Sequence, residues 1–285
     1  MVSEIHPLPN FFIIGAAKSG TTSLHHYLGR HPQISISQQK ETNFFLQPGS
    51  TEELEAYLEN FDPGKELRGE ASPRYSAYPY VEGVPERIHS LVPKAKLIYL
   101  VRDPVDRAIA HYFERLASNR APRDIEEAFA DVHDPRNLFV CASKYALQVS
   151  RYMQFFPRED LLIVESGELR SQRRQTLRSV FAFLGAQADF WTPEFEEELN
   201  TIRTKRRPRK FQTFLRHSPM ADIARRTLPS PVRNRLFGAA RHTLSVKVER
   251  QTGSPELRAR LAAVLRDDAV RFREVTGRSF EHWSI

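Results

Sequence analysis

Cysteine occurs once in these 285 residues, at Cys141, and that scarcity sets the first limits on what the chain can be. A single thiol closes no intrachain disulfide and cannot seed a cysteine-based zinc site, so a reducing compartment is expected. Long apolar runs are missing too. No stretch reaches the roughly 20 apolar residues that a bilayer-spanning helix needs. The opening MVSEIHPLPN has no basic segment followed by an apolar one, so no secretory leader is expected, and the chain reads as cytoplasmic. His, Asp and Glu are not gathered at metal-ligand spacing, and no metal is expected. No internal repeat is visible.

What is present suits a sizeable globular chain. About 40% hydrophobic residues can bury a large core, enough for a single domain with elaborations: an α/β core over 10–185, a basic insertion over 200–250, and a C-terminal helix and tail over 254–285. The formal charge of +7 is uneven. Between Asn200 and Arg250 fourteen Lys/Arg stand against two acidic residues, a net +12, which leaves the remainder at −5. The basic excess is therefore local and peaks at Lys205-Arg206-Arg207-Pro208-Arg209, which reads either as a solvated loop or as an anion-binding segment.

The most informative stretch is Phe11-Phe12-Ile13-Ile14-Gly15-Ala16-Ala17-Lys18-Ser19-Gly20-Thr21-Thr22-Ser23-Leu24. An apolar run breaks into small residues and resumes as an amphipathic segment, the pattern of strand, phosphate loop and helix. Gly15 and Gly20 permit a backbone that turns successive N–H groups toward an anion. Thr21, Thr22 and Ser23 open a helix whose unpaired amides and positive dipole end favour the same anion, and Lys18 adds a full charge. Compared with the nucleotide P-loop pattern Gly-x-x-x-x-Gly-Lys-Ser/Thr, the lysine stands two places earlier and Thr21 fills its usual position.

Further along, the spacing predicts helices over 20–30 and 51–60, a strand over 66–71, and a buried strand over 96–101 that should lie beside the first. Arg102-Asp103-Pro104 then starts a helix to about Ser118, with Asp103 as cap. That puts Arg102 at a strand's C-terminal edge, as a partner for Asp103 or Asp106 or as a guanidinium fork on a phosphate. Glu70 sits near another such edge, where open α/β sheets bind ligands. Helices over 124–132, 143–156 and 171–184, a strand over 161–164, and a final helix over 254–275 complete the pattern, with two less defined helical stretches around 211–227 and 231–244. Strands alternating with helices imply a parallel sheet.

Four motifs in order, Gly15-Ala16-Ala17-Lys18-Ser19-Gly20-Thr21-Thr22, Lys40-Glu41 before Phe44-Phe45, Gly69-Glu70-Ala71-Ser72-Pro73, and Arg102-Asp103-Pro104-Val105-Asp106-Arg107-Ala108, resemble sulfotransferases that use 3′-phosphoadenosine 5′-phosphosulfate (PAPS). The likeness is greatest to the bacterial and glycosaminoglycan-type branch, and implies a P-loop-like parallel sheet flanked by helices. It places Lys18, Ser19, Gly20, Thr21, Thr22 and Ser23 on the 5′-phosphosulfate and Arg102 on the 3′-phosphate. Arg206 and Arg207 of the basic run would close over the donor. Glu41 matches the general base, Lys18 would stabilise the leaving adenosine 3′,5′-bisphosphate (PAP), and Lys40 and Glu70 fall toward the acceptor.

Two departures from that pattern matter, and one further residue is a candidate. Ala110 replaces a serine that usually touches the 3′-phosphate. Ala71 replaces a lysine common in the glycosaminoglycan branch, which favours a small alcohol, lipid or metabolite over a heavily anionic glycan. His111, beside Ala110, is a second candidate base. The resemblance implies sulfuryl transfer to a hydroxyl, less readily an amine, with no metal and no nucleic-acid partner. A P-loop-type kinase, or a polyanion-binding protein working through 203–210, are the competing classes; oligomeric state is not legible.

Overall fold

A computed structural model describes residues 7–197 and 252–285, together with the backbone of Arg206–Pro208 and Ser245–Lys247. The sheet is parallel, built from β1 (Phe11–Gly15), β2 (Ile34–Ile36), β3 (Leu67–Ala71), β4 (Lys96–Val101) and β5 (Leu161–Glu165) in the order β2-β3-β1-β4-β5. The first strand is central. Because successive side chains point to opposite faces, Phe12 and Ile14 enter one core with Leu97, Tyr99 and Val101, while Phe11 and Ile13 enter another with Ile98 and Leu100. All four β1 side chains are at most 1% exposed, each contributing about 2 kcal/mol as an upper figure.

Helices cover both faces. α1 (Thr21–Leu28) and α9 (Arg173–Leu184) bury Leu24, Leu177 and Phe181 against one. Against the other pack α2 (Thr51–Leu58), α3 (Val84–Leu91) and α7 (Tyr145–Tyr152). α4 (Pro104–Ala117) and α10 (Pro255–Thr276) enclose a third cluster around Val105, Ile109, Leu257 and Leu261. The short helices α5 (Ile125–Ala128), α6 (Leu138–Cys141) and α8 (Ser166–Ser171) fill the connections.

Helix limits follow local chemistry. Asp103 accepts the Asp106 N–H at 2.8 Å with Pro104 in the first turn, and Ser254 accepts the Leu257 N–H at 3.1 Å. The helix expected over 124–132 shrinks to α5. Asp131 accepts the N–H groups of His133 and Asp134, so a local turn outcompetes a further helical one. Helix α3, not anticipated, begins after Gly83 in left-handed conformation with Pro85 in its first turn. The basic run, read as a solvated loop or an anion-binding segment, contains β6 (Arg206–Pro208), paired antiparallel with β7 (Ser245–Lys247). The helical stretches expected around 211–227 and 231–244 lie outside the described residues.

Candidate active site

The C-terminal edge of the sheet gathers the predicted groups in a definite order. The loop between β1 and α1 rises from the central strand, Arg102 follows β4 on one side, and Glu41 is tied to the end of β3 on the other, its N–H donating to the Ala71 carbonyl at 3.1 Å. Neighbouring strands lie about 4.8 Å apart, so base candidate, cradle and arginine stand over about 10 Å of sheet edge.

The cradle requires its glycines. A Cβ on Gly15 would meet Ser76 Oγ at 1.9 Å and Tyr99 Cε2 at 2.9 Å. Gly20 adopts φ 99°, a left-handed turn that starts α1, and its neighbour Lys18 is also left-handed at φ 74°. The loop is pinned to the sheet by the Ala16 N–H donating to the Leu100 carbonyl at 2.7 Å. Ser19 is fully buried; its Oγ lies near the Tyr145 phenol without a hydrogen bond of ordinary geometry. By helix geometry the amides of Thr21, Thr22 and Ser23 have no intrahelical acceptor. These features fit an anionic phosphosulfate group. Lys18 Nζ donates to Glu114 Oε2 at 2.7 Å.

Beneath the loop, Arg107 is completely buried. Its guanidinium donates to Ser143 Oγ at 2.6 Å, to the Ala17 carbonyl at 3.4 Å and to the Phe139 carbonyl. It also lies 3.2 Å from His111 Nδ1, which acts as acceptor. Burial, reinforced by Arg107, holds His111 well below the ordinary histidine range, so this ring is a neutral acceptor at physiological pH. Its geometry serves Arg107 and does not suit a general base.

Arg102 reaches Asp106 at 3.3 Å, and Asp106 also pairs with Arg258 of α10 at 2.9 Å. The arginine thus has its neighbouring acid as partner and still stands at the sheet edge, 22% exposed. Ala110 is buried in α4 and offers no hydroxyl. The backbone of β6 comes alongside α4, which brings Arg206 and Arg207 to that side of the molecule.

Glu41 is half-exposed, with its carboxylate against Lys40 Nζ. Its backbone is left-handed at φ 61° and that of Asn43 at φ 56°, which costs about 1–2 kcal/mol each for residues carrying a Cβ. The Asn43 side chain donates to the Glu41 carbonyl at 2.6 Å. The following turn, Phe44–Leu46, buries Phe45 against Phe12 and stacks Phe44 on Tyr57 at 4.4 Å, so the aromatic pair is part of the core.

Glu70 is fully buried. Its carboxylate accepts hydrogen bonds from Tyr75 at 2.7 Å, Ser72 at 3.0 Å, Tyr57 at 3.1 Å and Thr42. Burial pushes its pKa above the ordinary carboxylate value, and the four hydroxyl donors oppose that shift. It lies beneath the Glu41 loop and has no exposed surface. Nothing in the sequence around Glu70 announces the hydroxyl set, since Thr42 and Tyr57 come from other elements.

Sequence reasoning did not identify the cavity next to this loop. It measures about 690 Å³ and is lined by Leu46, Arg74, Tyr80, Val81, Arg87 and Arg136 among others. Arg87 supports its wall, donating to the carbonyls of Phe45 at 2.7 Å, Leu46 at 3.1 Å and Glu82 at 2.6 Å. The side chains of Arg74 and Arg136 make no hydrogen bond or ion pair among the described residues. Ala71, which stands where the glycosaminoglycan-type pattern has a lysine, is buried in the core.

A family model described as "Sulfotransferase domain" matches residues 8–231. Among curated proteins, the human "Bifunctional heparan sulfate N-deacetylase/N-sulfotransferase 2" is 29% identical over 195 residues, covering 62% of this chain and 22% of that protein. The "Membrane-associated sulfotransferase kil1" of Dictyostelium discoideum is 37% identical over 123 residues, 40% of this chain and 25% of that one. The chain thus spans about a quarter of the length of the curated relatives it matches. A solved sulfotransferase from Alicyclobacillus acidocaldarius superposes with a TM-score of 0.70 at 25% identity, over 98% of this chain and 100% of its own. With the cradle, the edge arginine and the family match in agreement, this chain belongs to the sulfotransferase domain family.

Proposed function

We propose that the protein transfers a sulfuryl group from PAPS to a hydroxyl, less readily an amine, of an acceptor entering beside Glu41. The observation that carries this reading is the order of groups along one sheet edge: Glu41 over β3, the phosphate loop over β1, Arg102 after β4. Sulfuryl transfer is an in-line displacement at sulfur, which needs a base for the acceptor proton on one side and cations for the departing phosphate on the other. Glu41 takes that proton at its carboxylate, with Lys40 beside it. Lys18 and the first amides of α1 hold the 5′-phosphosulfate, with Ser19 buried beneath the loop, and Arg102 holds the 3′-phosphate, with Arg206 or Arg207 closing over it.

The cavity lined by Arg74, Tyr80 and Arg136 suits the acceptor. It can take a sugar or another small ring, and its guanidinium groups at Arg74 and Arg136, without a hydrogen-bond or ion-pair partner among the described residues, supply cations that Ala71 does not. A small molecule, a lipid headgroup or a glycan all fit that description. The relatives named for heparan sulfate support the glycan branch of this reading. Family membership favours sulfuryl transfer over a kinase, and most of the basic run that would support polyanion binding lies outside the described residues. Among the described residues no helix is long and apolar enough to cross a membrane. The lone cysteine supports a reducing, cytoplasmic setting.

The experiment is Glu41→Gln and Lys18→Ala at saturating PAPS. Glu41→Gln is expected to bind PAP as wild type does while turnover falls on the order of 10²–10⁴-fold. Near-wild-type turnover in both variants would reject the mechanism.

A further inference from the structure

The Glu41 loop rests on a buried carboxylate that the reaction itself does not touch. Thr42 donates its hydroxyl to Glu70 directly. Ser72 donates to Glu70 at 3.0 Å and accepts the Asn43 N–H at 3.1 Å. Tyr75 donates to Glu70 at 2.7 Å and accepts the Phe45 N–H at 3.1 Å. The residue after Glu41 and two backbone amides within the next four positions are therefore held, through three hydroxyls, by one carboxyl group. Tyr57 fills the remaining lobe at 3.1 Å.

Direction matters in this network. Each hydroxyl has one proton, and the carboxylate takes it, which turns the oxygen lone pairs of Ser72 and Tyr75 toward the backbone N–H groups. An amide in place of the carboxylate would present a donor to one pair of these hydroxyls and upset their orientation. The loop needs such support because Glu41 and Asn43 both occupy left-handed backbone, which surrounding contacts must impose.

We propose that Glu70 is a positioning residue for Glu41, acting through Thr42, Ser72 and Tyr75 to hold the 41–45 backbone in the one conformation that presents the base to the acceptor. This rests on the reading of Glu41 as the base. Because Glu70 is remote from solvent and, among the described residues, its carboxylate is bonded only to hydroxyls, it governs catalysis without contacting donor or acceptor.

The test uses Thr42→Val, which removes one hydroxyl at nearly constant shape, Thr42→Ser, which restores it, and Glu70→Gln. Turnover is followed as PAP release from PAPS with heparan sulfate freed of its N-sulfates, 4-nitrophenol, or water alone as acceptor. Thr42→Val and Glu70→Gln are expected to lower kcat on the order of 10–100-fold, as a misplaced catalytic group does, with PAP affinity within about twofold of wild type. Thr42→Ser should recover most of kcat. In a Glu41→Gln background Thr42→Val should cost little more, since both changes remove the same function. Should Glu70→Gln fail to fold, the Thr42 variants carry the comparison.

An unchanged kcat in Thr42→Val, a parallel loss of PAP affinity, or additive losses with Glu41→Gln would overturn the proposal while leaving Glu41 as base. Near-wild-type turnover in Glu41→Gln alone would instead remove the base assignment, and the positioning role with it.

Discussion

Lys18 of the phosphate loop is held by Glu114 of helix α4, Nζ to Oε2 at 2.7 Å, with both side chains partly exposed. An anion entering the cradle competes with Glu114 for that ammonium. Replacing Glu114 by Gln should therefore tighten PAP binding, by up to about fivefold at low ionic strength, the range of a partly exposed pair. The gain should shrink as salt screens the interaction. Calorimetric titration of PAP at two salt concentrations checks this; equal or weaker binding at both would show that the pair does not oppose the ligand.

The cavity beside the Glu41 loop makes a prediction about acceptor charge. Arg74 and Arg136 both line it, and a charge-assisted hydrogen bond contributes about 1.5–3 kcal/mol. Arg74→Ala with Arg136→Ala should raise KM for an acidic glycan acceptor at least about tenfold, and that for a neutral phenol by less than about twofold. PAP affinity should stay the same. Equal effects on the two acceptors would indicate that the cavity does not read charge.

Asp268 of α10 caps the start of α7, accepting the N–H groups of Ala146 at 3.0 Å and Leu147 at 2.9 Å. Burial nonetheless pushes its pKa up, from an ordinary 3.8 to about 6, with the two backbone hydrogen bonds opposing. A raised folded-state value means that the folded chain holds this proton after the unfolded chain has released it. Stability from this group is present below about pH 4 and is lost as pH rises through about 6, by up to about 3 kcal/mol. Urea unfolding from pH 4 to 7 should show wild type losing stability relative to Asp268→Asn across that window. A constant difference would contradict it.

Much of this architecture was legible along the chain. Strands β1, β4 and β5 are continuous apolar runs because helices cover both faces of the parallel sheet, and this leaves a local mark. The phosphate loop carried its glycines, and α4 its Asp-Pro start. Positions that depend on distant partners left no such mark. Ser72 and Tyr75 lie within five residues of Glu70, but Thr42 and Tyr57 reach it from other elements, and Arg87 clamps a turn some forty residues earlier. His111 read as a candidate base because a histidine looks the same in sequence whether it faces substrate or a buried guanidinium.

The sequence by itself determined the sheet, the cradle and the family, because these depend on periodicity and on residue types at fixed short spacing. Only the tertiary structure decided that Glu70 lies under the Glu41 loop, that Lys18 meets Glu114, and that Arg74 and Arg136 line one cavity. Those are juxtapositions of side chains from separate elements. Burial and hydrogen-bond geometry set what they do, and neither exists until the chain has folded.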